Sequence, residues 1–225
     1  MDMESRASWF GRIQRWLWQP VQSVISPIEP LLNRIKENKS PVIGIHIRLG
    51  DAVSRTDRAN VTLSNYLAAA ATLQSELRRY KNLEVQTVYV ASDSASALRS
   101  VQTSSDWHSF FDTILVNEIV SNTLPENGWD NEDGGEDEDE DDEFHRKIVK
   151  SRHVLNGIVQ DITLLSECDV LIGTCMSQVS RMAAELMVDR MIAPPIAMDL
   201  ALCRSFPAHF VDIEMEWRSY MGVGV

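Results

Sequence analysis

The sequence lacks several features that would assign a protein to a common class. No stretch reaches the roughly 18–20 apolar residues of a membrane-spanning helix, and Arg6, Arg12 and Arg15 interrupt the N-terminus where a signal peptide would be apolar. It has no glycine-rich dinucleotide fingerprint and no Walker phosphate loop. The three cysteines leave at least one unpaired and form no cluster at metal spacing. We therefore predict no membrane segment, and we expect side chains and helix ends to hold any nucleotide.

The net charge of −12 comes almost entirely from one acidic segment. Eleven acidic residues lie between Asp130 and Glu143, and without them 22 acidic residues face 21 basic ones, a net charge of −1. The rest of the chain is therefore nearly neutral and has no stripe of basic residues. Since nucleic-acid binding depends on basic residues that contact phosphates, this argues against a nucleic-acid partner. Because like charges repel and nothing apolar anchors the segment, we predict a disordered insertion at about residues 123–144.

Residues 1–40 are predicted to form a helical lead-in to the main domain, residues 41–225. Trp9, Ile13, Trp16 and Leu17 share one face at helical spacing. A helix docked on the domain is the preferred interpretation, because the opposite face carries only two arginines. A membrane-surface helix is the alternative.

From Val42 onward, β-branched runs alternate with amphipathic segments. The predicted strands cover residues 42–48, 86–91, 111–116 and 169–173, with one more around Pro207–Ile213. The predicted helices begin at Ser64, Ser94, about His145 and Ser177, each serine acting as an N-cap. The inner face of the long third helix is predicted to carry Ile148, Leu155, Ile158, Ile162 and Leu165. Such alternation predicts an α/β protein with a Rossmann-like parallel sheet.

Polar residues mark the carboxyl ends of three of the predicted strands. His46 and Arg48 lie at the end of the first strand and Asp51 just after it, Ser92-Asp93 follow the second strand, and Thr174-x-x-Ser177-Gln178 follow the fourth. Ligands of parallel sheets bind beyond the carboxyl ends of the strands, so these groups should meet at one rim. Arg48 needs an anionic partner because an unpaired buried charge is costly. That partner is either an internal carboxylate, Asp51 or Asp93, or the phosphate of a ligand.

The residues that carry these features resemble a known family. VIGIHIRLGD at the first strand is similar to the His-x-Arg segment of the α1,6-fucosyltransferases and of their relatives, the protein O-fucosyltransferases and the rhizobial chitin-oligosaccharide fucosyltransferases. VYVASDSASALRS resembles the family's strand with an acidic dipeptide before a helix. The most specific likeness is the closing block NGIVQDITLLSECDVLIGTCMSQVSRMAAELM. The resemblance covers roughly residues 9–190.

The resemblance implies the nucleotide-sugar-binding, C-terminal half of a GT-B-type glycosyltransferase. Its donor substrate would be GDP-fucose, its acceptor a glycan or glycoprotein, and its mechanism inverting, with no metal and no cofactor. Arg48 corresponds to the essential arginine that holds the diphosphate. His46 and Asp161 correspond to residues that engage the guanine nucleotide, and Thr174, Ser177 and Gln178 to the phosphate-side segment.

The chain differs from the family pattern at two positions near Arg48, one of which bears on the catalytic base. The family's second arginine is Leu49 here, and the acidic residue eight positions beyond Arg48 falls on Thr56. The attacking hydroxyl needs a general base, for which Asp51 and Asp57 are the candidates.

Two other functions stay open at this point. One is a protein O-fucosyltransferase, since a fold does not fix the acceptor. The other is a non-catalytic nucleotide-sugar-binding or interaction fragment, because nothing before residue 9 supplies the N-terminal domain expected of such enzymes. The resemblance implies the Golgi lumen as the compartment of the full-length protein.

Overall fold

The computed structural model describes residues 11–49, 61–123, 140–174, 177–187, 190–193 and 195–198, with side chains except at 121–123 and 140–151. The helices are residues 11–17 (α1), Gln22–Ile25 (α2), Glu29–Lys36 (α3), Leu63–Lys81 (α4), Ala95–Thr103 (α5), Ser105–Phe110 (α6), Glu118–Thr123 (α7), Glu140–Ser166 (α8) and Gln178–Met187 (α9), with a 3-10 turn at Ser26–Ile28. The strands are Val42–Ile47 (β1), Thr87–Ser92 (β2), Thr113–Val116 (β3), Val170–Gly173 (β4) and Ile196–Ala197 (β5). No helix in these described ranges is long and apolar enough to cross a membrane.

The five strands form one parallel sheet in the order β3-β2-β1-β4-β5. The α/β prediction with a Rossmann-like parallel sheet is therefore confirmed. Strands β2 and β3 are added in sequence on one side of β1. The next strand, β4, lies on the opposite side of β1. This reversal opens a crevice at the carboxyl ends of β1 and β4, which is where ligands of such sheets bind.

Each face of the sheet is covered by a separate layer of helices. Side chains of β1 alternate between the two layers because successive residues of a strand point to opposite faces. Ile43, Ile45 and Ile47 join the core formed with α4 and α5, whereas Val42 joins the core formed with α3, α8 and α9. His46 lies on the same face as Val42, so its side chain belongs to the α8–α9 side of the sheet.

Gly44 allows α8 to pack close to the centre of β1. A Cβ atom at Gly44 would lie 3.1 Å from both Cβ and Sγ of Cys168 and 3.2 Å from a methyl of Leu165. Cys168 itself is a buried free thiol. The close contact brings the last turns of α8, which include Asp161, toward the carboxyl end of β1.

Some predicted details are wrong. The α4 helix has Thr62, not Ser64, at its N-cap, and the backbone N–H of Thr62 donates to Oδ1 of Asn65 at 2.8 Å. Leu155 and Ile158 were predicted on the inner face of α8, but their side chains are 62% and 39% exposed. The tightly packed part of α8 begins beyond them, between Gln160 and Ser166.

Other predictions concern the two ends and the acidic segment. In α1, Trp16 and Leu17 are 71% and 64% exposed rather than docked, and Trp9 lies outside the described residues. The prediction of a strand at 207–213 also lies outside them, and β5 was not predicted. Helix α8 already begins at Glu140, within the predicted disordered insertion, and residues 124–139 are not described.

Candidate active site

The described members of the three predicted polar clusters lie at the carboxyl rim of the sheet. The register that pairs Ile47 of β1 with Ser92 of β2 places Arg48 beside Asp93. Gly173, at the end of β4, lies on the other side of β1 near His46. The convergence on one rim, inferred from the strand ends, is therefore observed.

Arg48 and Asp93 form an ion pair across the ends of β1 and β2. Nη1 of Arg48 lies 3.1 Å from Oδ2 of Asp93, and the side chains are 30% and 10% exposed. Asp93 Oδ1 also accepts a hydrogen bond from the backbone N–H of Leu49, 3.0 Å away. Of the two partners considered for Arg48, the structure shows the internal carboxylate Asp93. The guanidinium also borders the cavity, where an anion can approach it.

His46 is buried and neutral. Its Nδ1 lies 2.7 Å from the hydroxyl oxygen of Ser180 on α9. Burial, and secondarily the charge of Arg48, lower the pKa of His46 to about 3. The imidazole therefore acts as a neutral hydrogen-bonding group at physiological pH, whereas the guanidinium of Arg48 beside it is charged.

Asp161 lies on the inner side of α8 and is buried. Its Oδ1 accepts a hydrogen bond of 2.7 Å from the hydroxyl of Tyr89 and a longer contact of 3.5 Å from Nδ2 of Asn117. Burial raises the pKa of Asp161 to about 7, although these two hydrogen bonds oppose the shift. The second carboxylate oxygen receives no hydrogen bond from the described residues, so it can accept from a ligand.

The phosphate-side residues of the prediction surround the start of α9. Ser177 stands just before the helix, and its carbonyl accepts the backbone N–H of Arg181 at 3.0 Å. Thr174 is buried, and its Oγ1 has no hydrogen-bond partner among the described residues. Gln178 is exposed on the first turn. A helix N-terminus with a spare hydroxyl nearby is a suitable environment for an anion.

A cavity of about 80 Å³ opens beside these groups. Its lining consists of His46, Arg48, Ser92, Asp93, Val120, His153, Val154, Gly157, Ile158, Asp161 and Val179. This volume is small beside the roughly 300–1,000 Å³ of sites that enclose a whole drug-sized ligand. The described walls therefore have room for one portion of a nucleotide sugar.

Three of the predicted site residues, His46, Arg48 and Asp161, line this cavity together. Thr174, Ser177 and Gln178 do not line it, although Val179 of the same helix does. Asp51 and Asp57, the candidates for the base, lie outside the described residues. The structure thus gives positions for His46, Arg48, Asp161, Thr174, Ser177 and Gln178, whose roles toward a ligand are predictions.

No role was assigned from the sequence to four residues of the site. Tyr89 and Asn117 hydrogen-bond to Asp161, and Ser180 contacts His46. The fourth residue, His153, lines the cavity. Tyr89 carried a usable signal, because it is a phenol at the centre of an otherwise apolar strand and a buried hydroxyl needs a partner. Its partner, 72 positions away, could not be identified from the local pattern.

Comparison with models of known protein families shows the family to which the chain belongs. The model of the α-(1,6)-fucosyltransferase N- and catalytic domains matches residues 2–118 and 146–192. The match covers well over half of the chain and includes β1, β2, β4 and α9 and therefore His46, Arg48, Asp161, Thr174, Ser177 and Gln178. The interruption contains the acidic segment. The chain thus belongs to the α1,6-fucosyltransferase family, whose activity is that of a glycosyltransferase that uses a nucleotide-sugar donor and a glycan acceptor.

Proposed function

We propose that this chain binds GDP-fucose at the carboxyl rim of the sheet and transfers fucose to a glycan, with inversion and without a metal ion. The observation that carries the proposal is the position of Arg48. Its guanidinium is partly exposed, borders the cavity and lies beside a neutral histidine. The membership of the chain in the α1,6-fucosyltransferase family supports fucose as the transferred sugar.

The reaction requires stabilisation of a departing diphosphate. The acceptor hydroxyl oxygen forms a bond to the anomeric carbon of fucose while the bond from that carbon to the β-phosphate oxygen breaks. The electron pair of the broken bond leaves with GDP, and a base takes the hydroxyl proton. A fixed guanidinium and helix-end amides can stabilise the charge that develops on the phosphate. Arg48 and the first turn of α9 are the groups proposed for this task.

Asp161 is proposed to read the guanine base. A carboxylate can accept hydrogen bonds from both N1–H and the 2-amino group of guanine, and adenine offers no such pair of donors. In the structure one oxygen is held by Tyr89 and Asn117, which fixes the orientation of the carboxylate. The other oxygen, Oδ2, is available to accept one guanine N–H. The second guanine N–H would have to reach Oδ1, where it would replace the long contact from Asn117.

We further propose that the described fold is the donor-binding half of a GT-B-type enzyme and that the protein acts in the Golgi lumen. Family membership supports both statements. The small volume of the cavity also supports the first, because a GT-B enzyme completes its donor site with a second domain that closes over the nucleotide.

Calorimetry and product analysis test the proposal. GDP and ADP are titrated into the chain in the presence of EDTA, and GDP-fucose is then incubated with the chain and a glycan acceptor. We expect selective binding of GDP that EDTA does not change, and a fucosylated product with the anomeric configuration opposite to that of the donor. Equal affinity for ADP, or loss of binding in EDTA, would contradict the proposed donor site. Binding of GDP without transfer would favour a non-catalytic nucleotide-sugar-binding chain.

A further inference from the structure

Ser180 is a completely buried serine on α9 whose hydroxyl lies between two groups of the site. Its oxygen accepts a hydrogen bond from the backbone N–H of Thr174 at 3.2 Å. The same oxygen lies 2.7 Å from Nδ1 of His46. Ser180 thus connects the end of β4 with the histidine of β1.

Gly173 makes room for this hydroxyl. A Cβ atom at Gly173 would lie 2.5 Å from Oγ and 2.9 Å from Cβ of Ser180. Both distances are shorter than atoms of this kind tolerate, so any larger residue at 173 would displace Ser180. The arrangement of His46 and Ser180 therefore depends on a glycine at the last position of β4.

The hydrogen bonds available to the Ser180 hydroxyl favour one of the two nitrogens of His46 as the site of the imidazole proton. A serine hydroxyl has one hydrogen and two lone pairs, and the amide of Thr174 occupies one lone pair. The hydroxyl hydrogen has no acceptor other than Nδ1 of His46 among the described residues, and the 2.7 Å contact lies at the short end of the range for N–H···O hydrogen bonds. Donation by Ser180 requires Nδ1 to be unprotonated, which leaves the proton of the neutral ring on Nε2.

We propose that Ser180 is a positioning residue: its hydroxyl donates to Nδ1 of His46 and thereby keeps the ring proton on Nε2, so that His46 offers a donor to an acceptor oxygen of the bound ligand. Nε2 has no hydrogen-bond partner among the described residues, and His46 lines the cavity. The ligand class follows: His46 recognises an acceptor, such as a phosphate or ribose oxygen. This last step rests on the proposed function, whereas the position of the proton does not.

Nitrogen NMR of the free protein tests where the proton lies. The chain has five histidines, and labelling them with ¹⁵N gives two ring signals for each. His46→Gln assigns the signals of His46 by their disappearance. We expect Nε2 to show the shift of a protonated nitrogen and Nδ1 that of an unprotonated one, without change between pH 5 and pH 8. A proton on Nδ1 in the wild-type protein would overturn the proposal.

Three variants separate positioning from structural support. Ser180→Ala removes the donor and should abolish the preference for the Nε2–H tautomer, whereas Ser180→Cys keeps a weak donor and should restore part of it. Ser166→Ala is the matched control, because Ser166 is also buried and its hydroxyl donates only to the carbonyl of Thr163 in α8. The control should leave both nitrogen shifts of His46 unchanged. If Ser180→Ala does not fold, the comparison of Ser180→Cys with wild type gives the same test.

Affinity for GDP measures the consequence for ligand binding. Ser180→Ala should weaken GDP binding about tenfold, because the ring no longer presents its donor reliably. Ser180→Cys should lose less, and Ser166→Ala should bind as wild type does. Wild-type nitrogen shifts and wild-type affinity in Ser180→Ala would overturn the positioning role. A wild-type protein that binds no GDP would contradict the proposed function, while the nitrogen shifts still decide the role of Ser180.

Discussion

The two ends of the central strands carry similar charged groups in different surroundings. At the amino ends, Asp169 accepts the backbone N–H of Val42 at 2.8 Å, and Arg190 pairs with Glu167 and donates to its carbonyl. At the carboxyl ends, Arg48 pairs with Asp93, but this pair borders a cavity. Both ends therefore hold an arginine–carboxylate pair, and the pair alone does not identify a site.

What distinguishes the carboxyl end is that groups with unused hydrogen-bonding capacity lie beside the cavity of His46 and Arg48, whereas Arg15 Nη2 and Glu76 Oε2, which are also buried without a described partner, do not line it. Thr174 Oγ1 is buried without a described partner, and neither Nε2 of His46 nor the second oxygen of Asp161 receives a partner from the described residues. Unfilled capacity of this kind is costly in a folded protein. A ligand bound in the cavity would supply the missing partners, as the proposed function requires.

The largest expected effect is the loss of GDP binding in Arg48→Ala. The variant removes the guanidinium proposed to hold the diphosphate, and we expect affinity to fall about 100-fold. Arg190→Ala is the matched variant at the amino end. It should lower the free energy of unfolding by about 1 kcal/mol and leave GDP affinity unchanged. Calorimetry and urea denaturation of both variants provide the measurements, and equal GDP affinities would remove the distinction between the two ends.

The second prediction concerns pH and Asp161. Because the pKa of Asp161 is raised to about 7 in the folded chain, the folded state retains a proton that the unfolded state releases near pH 4. This group therefore makes the fold less stable as pH rises from about 4 to 7, with no further change above that range. GDP binding requires the carboxylate as acceptor, so affinity should increase between pH 6 and pH 8.

Asp161→Asn should separate these two effects. The amide keeps an oxygen for Tyr89 but does not ionise, so the variant should be more stable than wild type at pH 8, by on the order of 2 kcal/mol. It should bind GDP weakly, and its affinity should not depend on pH in this range. Denaturation and calorimetry at pH 6 and pH 8 provide the measurements. A variant that retains wild-type affinity at pH 8 would exclude Asp161 from base recognition.

The smallest expected effect is that of Thr174→Val. Since Oγ1 has no described partner, its removal should not lower stability, but it should weaken GDP binding about fivefold if the hydroxyl contacts the ligand. Thr163→Val is the contrasting variant, because Thr163 accepts from Trp18 and donates to the carbonyl of Val159. It should lower stability and leave GDP affinity unchanged. The opposite result for the two threonines would mean that unused capacity does not mark the site.

The sheet could be predicted from the sequence because its strands are short β-branched runs buried on both faces. Because these runs end in polar residues, the rim that carries His46 and Arg48 could be predicted as well. In contrast, β5 is a two-residue strand, Ile196–Ala197, whose pairing with β4 depends on where the chain returns. A segment this short has no periodicity to detect.

The error at α8 has a related cause. Leu155 and Ile158 follow the helical period of the buried residues beyond them, but a period identifies a face of a helix and not how far the packed surface extends. Ile158 lines the cavity, and its side chain is therefore partly exposed. Likewise, the partners of Asp161 come from β2 and the end of β3, and no local pattern connects them to α8.

Val120 of α7 touches the site from a segment that the family model does not match. It packs so closely on α8 that a Cβ atom at Gly157 would lie 3.0 Å from one of its methyl groups. A small-molecule inhibitor that occupies only the region of Arg48 and His46 would contact residues within the family match. An inhibitor that extends toward Val120 would also contact a residue outside the family match. Contacts with Val120 are therefore the ones that could make an inhibitor selective for this chain over its relatives.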